Sequence, residues 1–150
     1  MGDVVYGIDC KLYYKAAAHA AWVGVAGLTE LGNCRNVTLT MTSDEADTTT
    51  RTNNGWKANE PTLKSAQIEF EMVWDNTDDG FTAFMDAWIN RTKLSVACLT
   101  GSTAGSKGLW AACKVFSFTR EEPLEGVATA KVVIKPCFDA VAPAIVTVAA

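Results

Sequence analysis

Positive charge is scarce in this 150-residue sequence. Its 13 lysines and arginines are outnumbered by 17 aspartates and glutamates, so the formal net charge at pH 7 is −4. The basic residues are also scattered singly along the chain. A protein that holds DNA or RNA normally gathers lysine and arginine on one face, where they neutralise phosphates. The composition therefore excludes a protein that binds nucleic acid tightly. If this chain meets DNA, it does not hold it.

The residues that enzymes and metal sites need are also missing. There is one histidine, His19, and no second histidine or carboxylate stands at ligand spacing from it. Neither a G-x-S-x-G motif nor a glycine-rich phosphate loop ending in Lys-Ser or Lys-Thr is present. The carboxylate pairs Asp78-Asp79 and Glu121-Glu122 stand in turns, where solvation and helix capping explain them. We interpret His19 as a structural or surface residue, and we predict no catalytic activity, no metal and no cofactor.

No segment resembles a secretory signal or a membrane span. The N-terminus has no basic region followed by an apolar run, and the apolar tail AVAPAIVTVAA is short and interrupted by Pro143. The cysteines are odd in number and widely spaced without a C-x-x-C pair: Cys10, Cys34, Cys98, Cys113 and Cys137. We therefore expect a soluble chain made in a reducing cytoplasm, with buried reduced thiols and no membrane binding of its own.

Two stretches, CRNVTLTMT and AQIEFEMVW, alternate apolar and polar residues, as strands with one dry and one wet face do. Their apolar members are Val37, Leu39, Met41, Ile68, Phe70, Met72 and Trp74. Their polar members are Thr38, Thr40, Thr42, Gln67, Glu69 and Glu71. With 49% hydrophobic residues, the chain can bury a core, and we expect one domain over residues 1–150.

One helix is predicted after the turn DNTDDG, with Asp78 or Asp79 as its N-cap. In FTAFMDAWINR the large apolar residues recur at helical spacing, so this stripe must pack against something. Its members are Phe81, Phe84, Met85, Trp88 and Ile89. We predict a helix over about residues 79–91, with Arg91 in its last turn complementing the helix dipole.

Further strands are predicted in KLSVACL, LWAACKVFSFTREE and VATAKVVIK, and a weaker pair around KLYYK and AAWVGVA. In the longest of these, Trp110, Phe116 and Phe118 share one parity. Lys114 on the same parity implies a bulge or a sheet edge. The sequence therefore predicts an α+β fold that is mainly antiparallel β, with about six or seven strands and one helix.

The segment TTTRTNNGWKANEPTLKS, residues 48–65, is too long and too polar for an ordinary hairpin turn. Long structureless loops in compact domains are usually functional or disordered, and we predict a loop arm over about residues 44–65. Two non-enzymatic functions remain open. One is a carbohydrate- or ligand-binding β-sandwich with Trp56 as a stacking platform. The other is a self-assembling structural subunit whose arm reaches a neighbouring copy.

Several short motifs follow one another in order. An acidic turn leads into T-T-R-x-x-x-G-W, then a strand ending in W-D, then the helix, and later S-F-x-R-x-E-P-L-E. The residues concerned are Thr49, Thr50, Arg51, Gly55, Trp56, Trp74, Asp75, Ser117, Phe118, Arg120, Glu122, Pro123, Leu124 and Glu125. In this order they resemble the major tail tube proteins of long-tailed bacteriophages. The resemblance covers about residues 8–138, the expected core, and leaves 139–150 as a C-terminal extension.

The resemblance implies a β-sandwich or barrel with a flanking helix, a fold shared with the ring protein of type VI secretion. It implies hexameric rings that stack into a tube, with an inner barrel as the conduit for DNA ejection. The implied partners are tape-measure, initiator and terminator proteins. The implied location is the tail of the virion, assembled in the cytoplasm of the bacterial host. No catalytic residue is carried over from the family.

On this interpretation the arm crosses to the next subunit, while the alternative is that Trp56 folds back onto its own sheet. The arm residues assigned to the interface are Thr49, Thr50, Arg51, Asn53, Asn54, Gly55, Trp56 and Lys57. The wet faces of the two strands are assigned to the lumen, where carboxylates repel DNA phosphates. These candidates are Thr38, Thr40, Thr42, Gln67, Glu69 and Glu71. The alternative places them on the outer wall or beneath the helix.

Overall fold

The computed structural model describes residues 4–16 and 20–149, which form eight β-strands, one α-helix and two short 3-10 helices. The strands are β1 (Lys11–Lys15), β2 (Thr29–Glu30), β3 (Cys34–Asp47), β4 (Asn59–Val73), β5 (Leu94–Leu99), β6 (Lys107–Glu121), β7 (Thr129–Pro136) and β8 (Ala144–Thr147). The helix α1 spans Asp79–Asn90, and the 3-10 helices span Gly7–Asp9 and Arg51–Asn53. His19, expected to be a structural or surface residue, lies outside the described residues.

All eight strands belong to one antiparallel sheet, in the order β2-β1-β5-β6-β7-β4-β3, with β8 paired to the beginning of β6. Within the described residues the sheet does not close into a barrel, and its end strands β2 and β3 each have one unpaired side. The predicted α+β fold, mainly antiparallel with one flanking helix, is confirmed. The sheet has one or two strands more than the sequence indicated, because β2 and β8 are short.

The segment AAWVGVA does not form the predicted strand. It crosses one face of the sheet as an irregular cover, with Trp22 edge-on to Trp110 at a centroid distance of 5.4 Å. The indole Nε1 of Trp110 donates a hydrogen bond of 3.1 Å to the carbonyl of Ala20. Trp22 and Val25 therefore pack against the core without any pairing in the sheet ladder, while Val23 is exposed.

The helix α1 begins as the sequence indicated. Asp78 is the N-cap, and its carboxylate accepts a hydrogen bond of 2.8 Å from the backbone N–H of Phe81. The helix ends one residue before the predicted boundary, since Arg91 has a φ of 57° and is the left-handed C-cap rather than a helical residue.

The inward face of α1 differs from the predicted stripe. Phe81, Phe84 and Ala87 are buried against the sheet, and Met85 is partly buried against the same cluster. The prediction was wrong for Trp88 and Ile89, whose exposed fractions are 50% and 59%. These two residues lie in the last turn, beside the part of β6 that has no strand on its β5 side in the described chain, so no sheet surface covers them.

Apolar clusters lie on both faces of the sheet. The larger lies beneath α1, where the ring centroids of Phe70 and Phe84 are 5.2 Å apart. The smaller lies on the opposite face and consists of Tyr13, Ala97, Leu99, Trp110, Val146 and Val148, with Trp22, Val25 and Leu28 packed against it. The C-terminal residues therefore belong partly to the core, because β8 carries Val146 onto this face.

A bulge in β6 changes which face its aromatic residues occupy. The register with β7 shifts between Val115 and Ser117, so the bulge expected near Lys114 is present, with Phe116 as the extra residue. Trp110 lies in the smaller cluster, whereas Phe118 packs against the larger one. Regular alternation along β6 predicted Trp110 and Phe118 on the same face of the sheet. The extra residue in the bulge reverses the alternation after it, so the two side chains lie on opposite faces.

Candidate functional site: the hairpin arm and the polar face

The predicted loop arm is mostly a β-hairpin. β3 and β4 remain paired from Cys34 opposite Met72 to Asp47 opposite Asn59, so only residues 48–58 form the connection. The prediction of a loop over 44–65 was therefore wrong at both ends. Residues 44–47 and 59–61 contain Asp, Glu, Asn and Pro, which strands disfavour, and a ribbon exposed on both faces needs no alternation of apolar and polar side chains. The sequence therefore carried no strand signal there.

The hairpin extends beyond the rest of the sheet. β4 pairs with β7 only from Ile68 to Val73, so in the described chain residues 59–67 have β3 as their only strand partner. At a rise of about 3.3 Å per residue, this part of the ribbon is about 30 Å long. No side chain between residues 40 and 65 is buried. We call residues 43–64 the hairpin arm.

The tip of the hairpin arm is held by its own polar groups. The backbone N–H of Thr50 donates to the side-chain oxygen of Asn53 over 2.7 Å. The hydroxyl of Thr49 accepts from the N–H of Ala58 over 2.8 Å. Gly55 has a φ of 83°, a positive value that glycine adopts without steric cost. These contacts give the tip a defined shape without a core.

The tip presents large side chains to solvent. The exposed fraction of Trp56 is 78%, and Arg51 and Lys57 are exposed beside it. The alternative in which Trp56 folds back onto its own sheet is therefore wrong for this chain. An indole, a guanidinium and an ammonium group at the end of a ribbon are suited to contact another surface.

The register between β3 and β4 places the lumen candidates on one face, opposite α1. Thr38 lies opposite Glu69, Thr40 opposite Gln67, and Thr42 opposite Ser65. Antiparallel partners point to the same side of a sheet, so the six predicted residues are brought together. We call this surface the polar face.

Two cations that the sequence analysis missed also lie on the polar face. Arg35 is opposite Glu71 on β3, and Lys131 is opposite Glu71 on β7. Strict alternation placed Arg35 on the other side from Thr38. A bulge between these residues, where Asn36 has a φ of 55°, returns Arg35 to the polar face. Lys131 lies between the buried residues Ala130 and Val132, so regular alternation in β7 could have predicted its place on the polar face.

The polar face is thus electrically mixed rather than purely acidic. A side-chain nitrogen of Arg35 donates to Glu71 over 3.2 Å, and this hydrogen bond lowers the pKa of the Glu71 carboxyl. The contribution of the pair to stability is therefore present at neutral pH and is lost as the pH falls through the pKa of Glu71. Glu69 instead accepts a hydrogen bond of 3.0 Å from the amide of Gln67. Glu69 is the carboxylate of this face without a cationic partner in the described chain.

The thiols only partly follow the expectation of burial. Cys113 is buried, and burial raises its pKa to about 12, while burial raises the pKa of Cys98 to about 11. Cys10 was expected to be buried but is exposed, because it lies in the surface connection between the first 3-10 helix and β1. Cys10, Cys34 and Cys98 line one cavity of about 490 Å³.

Residues 4–16 and 20–149 contain no group of three or more His, Cys, Asp or Glu side chains that can hold a metal ion. In the same part of the chain, no helix is long and apolar enough to cross a membrane.

No protein-family model matches the sequence. No curated protein matches it either. Several solved structures, however, match the fold of the chain. The tail of an empty gene transfer agent particle with C6 symmetry has a TM-score of 0.72 at 13% identity, over 96% of this chain and 98% of that chain. The SPP1 tail tube has a TM-score of 0.70 at 14% identity, over 88% of this chain and 75% of that chain.

The baseplate of the anti-feeding prophage also matches, with a TM-score of 0.65 at 6% identity, over 97% of each chain. At such identities these likenesses establish the fold. The chain therefore has the fold seen in these tail and baseplate structures, as the resemblance of its motifs implied.

Proposed function

We propose that this chain is a structural subunit of a phage-type tail tube, in which copies close into hexameric rings and the rings stack around a conduit for DNA. The observation that carries the proposal is the shared fold over 96% of the chain with a tail of C6 symmetry. The chain takes part in no chemical step and needs no cofactor. Its place is the tail of the particle, assembled in the cytoplasm of the host with tape-measure, initiator and terminator proteins.

Ring closure gives the free strand edges a partner. In the described chain, β2 and β3 each leave one side unpaired at opposite ends of the sheet. Open edges expose backbone donors and acceptors and promote uncontrolled pairing, whereas closure into a barrel removes them. The end strand β3 is long, so its edge offers an extended ladder to the adjacent copy.

The hairpin arm docks onto a neighbouring subunit. An isolated two-stranded ribbon is only marginally stable in water, because it has no core on either side. Contact with a second copy supplies the missing surface. Tryptophan and arginine are enriched among the residues that dominate binding energy, which assigns the anchoring role to Trp56 and Arg51.

The polar face lines the conduit. It lies opposite α1, and its threonines and mixed charges offer DNA no continuous row of cations. DNA binds proteins by releasing counterions as lysine and arginine neutralise phosphates. Because Arg35 is already paired with Glu71, it is not free to neutralise a DNA phosphate, and few counterions are released when DNA meets this surface. The DNA therefore slides through the conduit without being bound.

The proposal predicts that the purified chain assembles. Electron microscopy and sedimentation over a range of concentrations should show rings or stacked tubes, either spontaneously or after addition of an initiator complex. A chain that stays monomeric with its initiator present contradicts the proposal. Strong binding on a glycan array that Trp56→Ala abolishes would instead support a carbohydrate-binding module.

A charge change on the polar face should alter how the tube treats DNA. Glu69→Lys replaces the unpaired carboxylate with a cation, so assembled tubes should retain duplex DNA at low salt and release it as salt rises. Co-sedimentation of DNA with tubes measures this. Glu69→Gln is the matched control, and it should leave DNA unbound. If Glu69→Lys tubes pellet no more DNA than wild type at low salt, the polar face does not line the conduit.

A further inference from the structure

Three exposed apolar side chains meet at the C-terminal end of α1. Trp88, Ile89 and Phe116 line one cavity of about 440 Å³ together with Arg91, Lys114 and Val115. We call it the α1–β6 cleft. The exposed fraction of Phe116 is 57%, similar to those of Trp88 and Ile89. Single exposed apolar residues are ordinary, but several large ones around one concavity mark a contact surface.

The sheet explains why this cleft is uncovered. β5 pairs with β6 only as far as Cys113, so in the described chain residues 114–121 of β6 have no strand on that side. The bulge at Phe116 then turns its ring outward beside the last turn of α1. The cleft therefore combines apolar side chains with a free strand edge.

The cleft is rimmed by cations. Arg91 and Lys114 line it, and the Nζ of Lys135 lies 5.4 Å from the centroid of the Phe116 ring. None of the three is ion-paired among the described residues. The adjoining cavity is of mixed charge, since Asp79, Asp86 and Asp139 line it together with Arg91, Lys93 and Lys114. The residues that line the α1–β6 cleft itself include Arg91 and Lys114 and no carboxylate. A ligand for this cleft needs an apolar group flanked by carboxylates.

This chain carries such a group in the turn between β6 and β7. Residues 121–126, the acidic turn, read Glu-Glu-Pro-Leu-Glu-Gly, and the side chain of Leu124 is fully exposed. The N–H of Gly126 donates to the carbonyl of Pro123 over 3.4 Å and closes the turn. Glu122 is paired with Arg120, whereas Glu121 and Glu125 form no ion pair within the described chain. The result is a knob with a leucine at its tip and carboxylates beside it.

We infer that the acidic turn of one copy docks into the α1–β6 cleft of a second copy. Leu124 enters between Trp88, Ile89 and Phe116, and Glu121 and Glu125 lie beside the three cations of the rim. The inference deepens the proposed function, since it rests on self-assembly and names one contact that holds copies together. Knob and cleft are different surfaces of one chain, so the contact is heterologous and repeats around a ring or along a stack.

A charge exchange tests the contact. Glu125→Lys and Lys114→Glu should each raise the concentration needed for assembly by about tenfold, because each places like charges together. The double variant carries the same two charges exchanged and should recover most of the loss. Sedimentation measures assembly, and circular dichroism verifies that every variant is folded. The contact is wrong if both single variants assemble at the same concentration as wild type. It is also wrong if the double variant needs a concentration raised by the two single effects combined.

A cross-linking experiment separates this contact from the proposed function. Asn90→Cys beside the cleft and Val127→Cys beside the knob are prepared as separate chains in a Cys10→Ser background, mixed, and treated with a short bismaleimide. A cross-link between these two positions, identified by mass spectrometry, supports the contact even where no tube forms. If the mixed variant chains assemble into tubes of normal appearance but do not form this cross-link, the contact is overturned and the proposed function is left intact.

Discussion

Replacing residues 43–64 with Asn-Gly yields a folded chain that forms no tubes. The two-residue turn joins Thr42 to Ser65, which face each other in the register with their hydroxyl oxygens 2.7 Å apart, and Asn-Gly favours the turn that such hairpins use. The removed residues bury no side chain, so the core beneath α1 is intact and the unfolding midpoint changes little. Assembly is lost because the surface proposed to reach the next copy is gone.

Electron microscopy and sedimentation measure the loss of tubes, and near-ultraviolet circular dichroism reports the folded core. The matched point variant is Trp56→Ala, which should weaken assembly by ~2 kcal/mol or more if the indole is an interface anchor. The stability of the isolated chain should not change, since Trp56 is already exposed. If the shortened chain forms normal tubes, the hairpin arm is not needed for assembly. If the shortened chain is unfolded, the hairpin arm is needed for the fold itself.

Truncation after Pro143 should destabilise the chain severely. It removes β8, and with it Val146 and Val148, which are buried against Trp110 and Tyr13. Burial of each valine is worth about 1.5–3 kcal/mol, so the expected loss is about 3–6 kcal/mol. That is a large share of the ~5–15 kcal/mol that typically stabilises a folded domain.

Urea unfolding monitored by tryptophan fluorescence measures this loss, because Trp110 belongs to the same apolar cluster as Val146 and Val148. Ile145→Ala is the matched control, since Ile145 lies on the same strand but is exposed, and its effect should stay within about 0.5 kcal/mol. A truncated chain with the wild-type midpoint would show that residues 144–150 are an appendage rather than part of the core.

The two sheet faces and the two projecting elements have different tasks in the proposed assembly. One face is covered by α1, and the polar face is left open beside β3 and β4. The hairpin arm and the acidic turn project without burying their largest side chains, Trp56 and Leu124. The core of an isolated chain is thus complete, whereas the side chains proposed to contact other copies remain exposed to solvent until those copies bind.

The sequence by itself determined the elements whose signal is local. Alternation in CRNVTLTMT and AQIEFEMVW identified the inner parts of β3 and β4. The turn DNTDDG, with Asp78 or Asp79 as the expected N-cap, identified the start of α1, where Asp78 accepts the hydrogen bond from the N–H of Phe81. Strand parity and helix capping depend on residues within a few positions of one another, so they can be read from a single segment. The resemblance of ordered motifs then indicated the fold that the solved tail structures share.

Tertiary structure alone decided the features that depend on which segments meet. The bulge after Arg35 moved that residue onto the polar face, and the bulge at Phe116 separated Trp110 from Phe118, because register is set by the partner strand. Trp88 is exposed because the pairing of β6 with β5 ends at Cys113, and the position of that boundary depends on two strands outside the helix. The strand residues at both ends of the predicted loop, in β3 up to Asp47 and in β4 from Asn59, were missed for a related reason. Backbone pairing holds that ribbon together, and a ladder without a buried face leaves no pattern in the side chains.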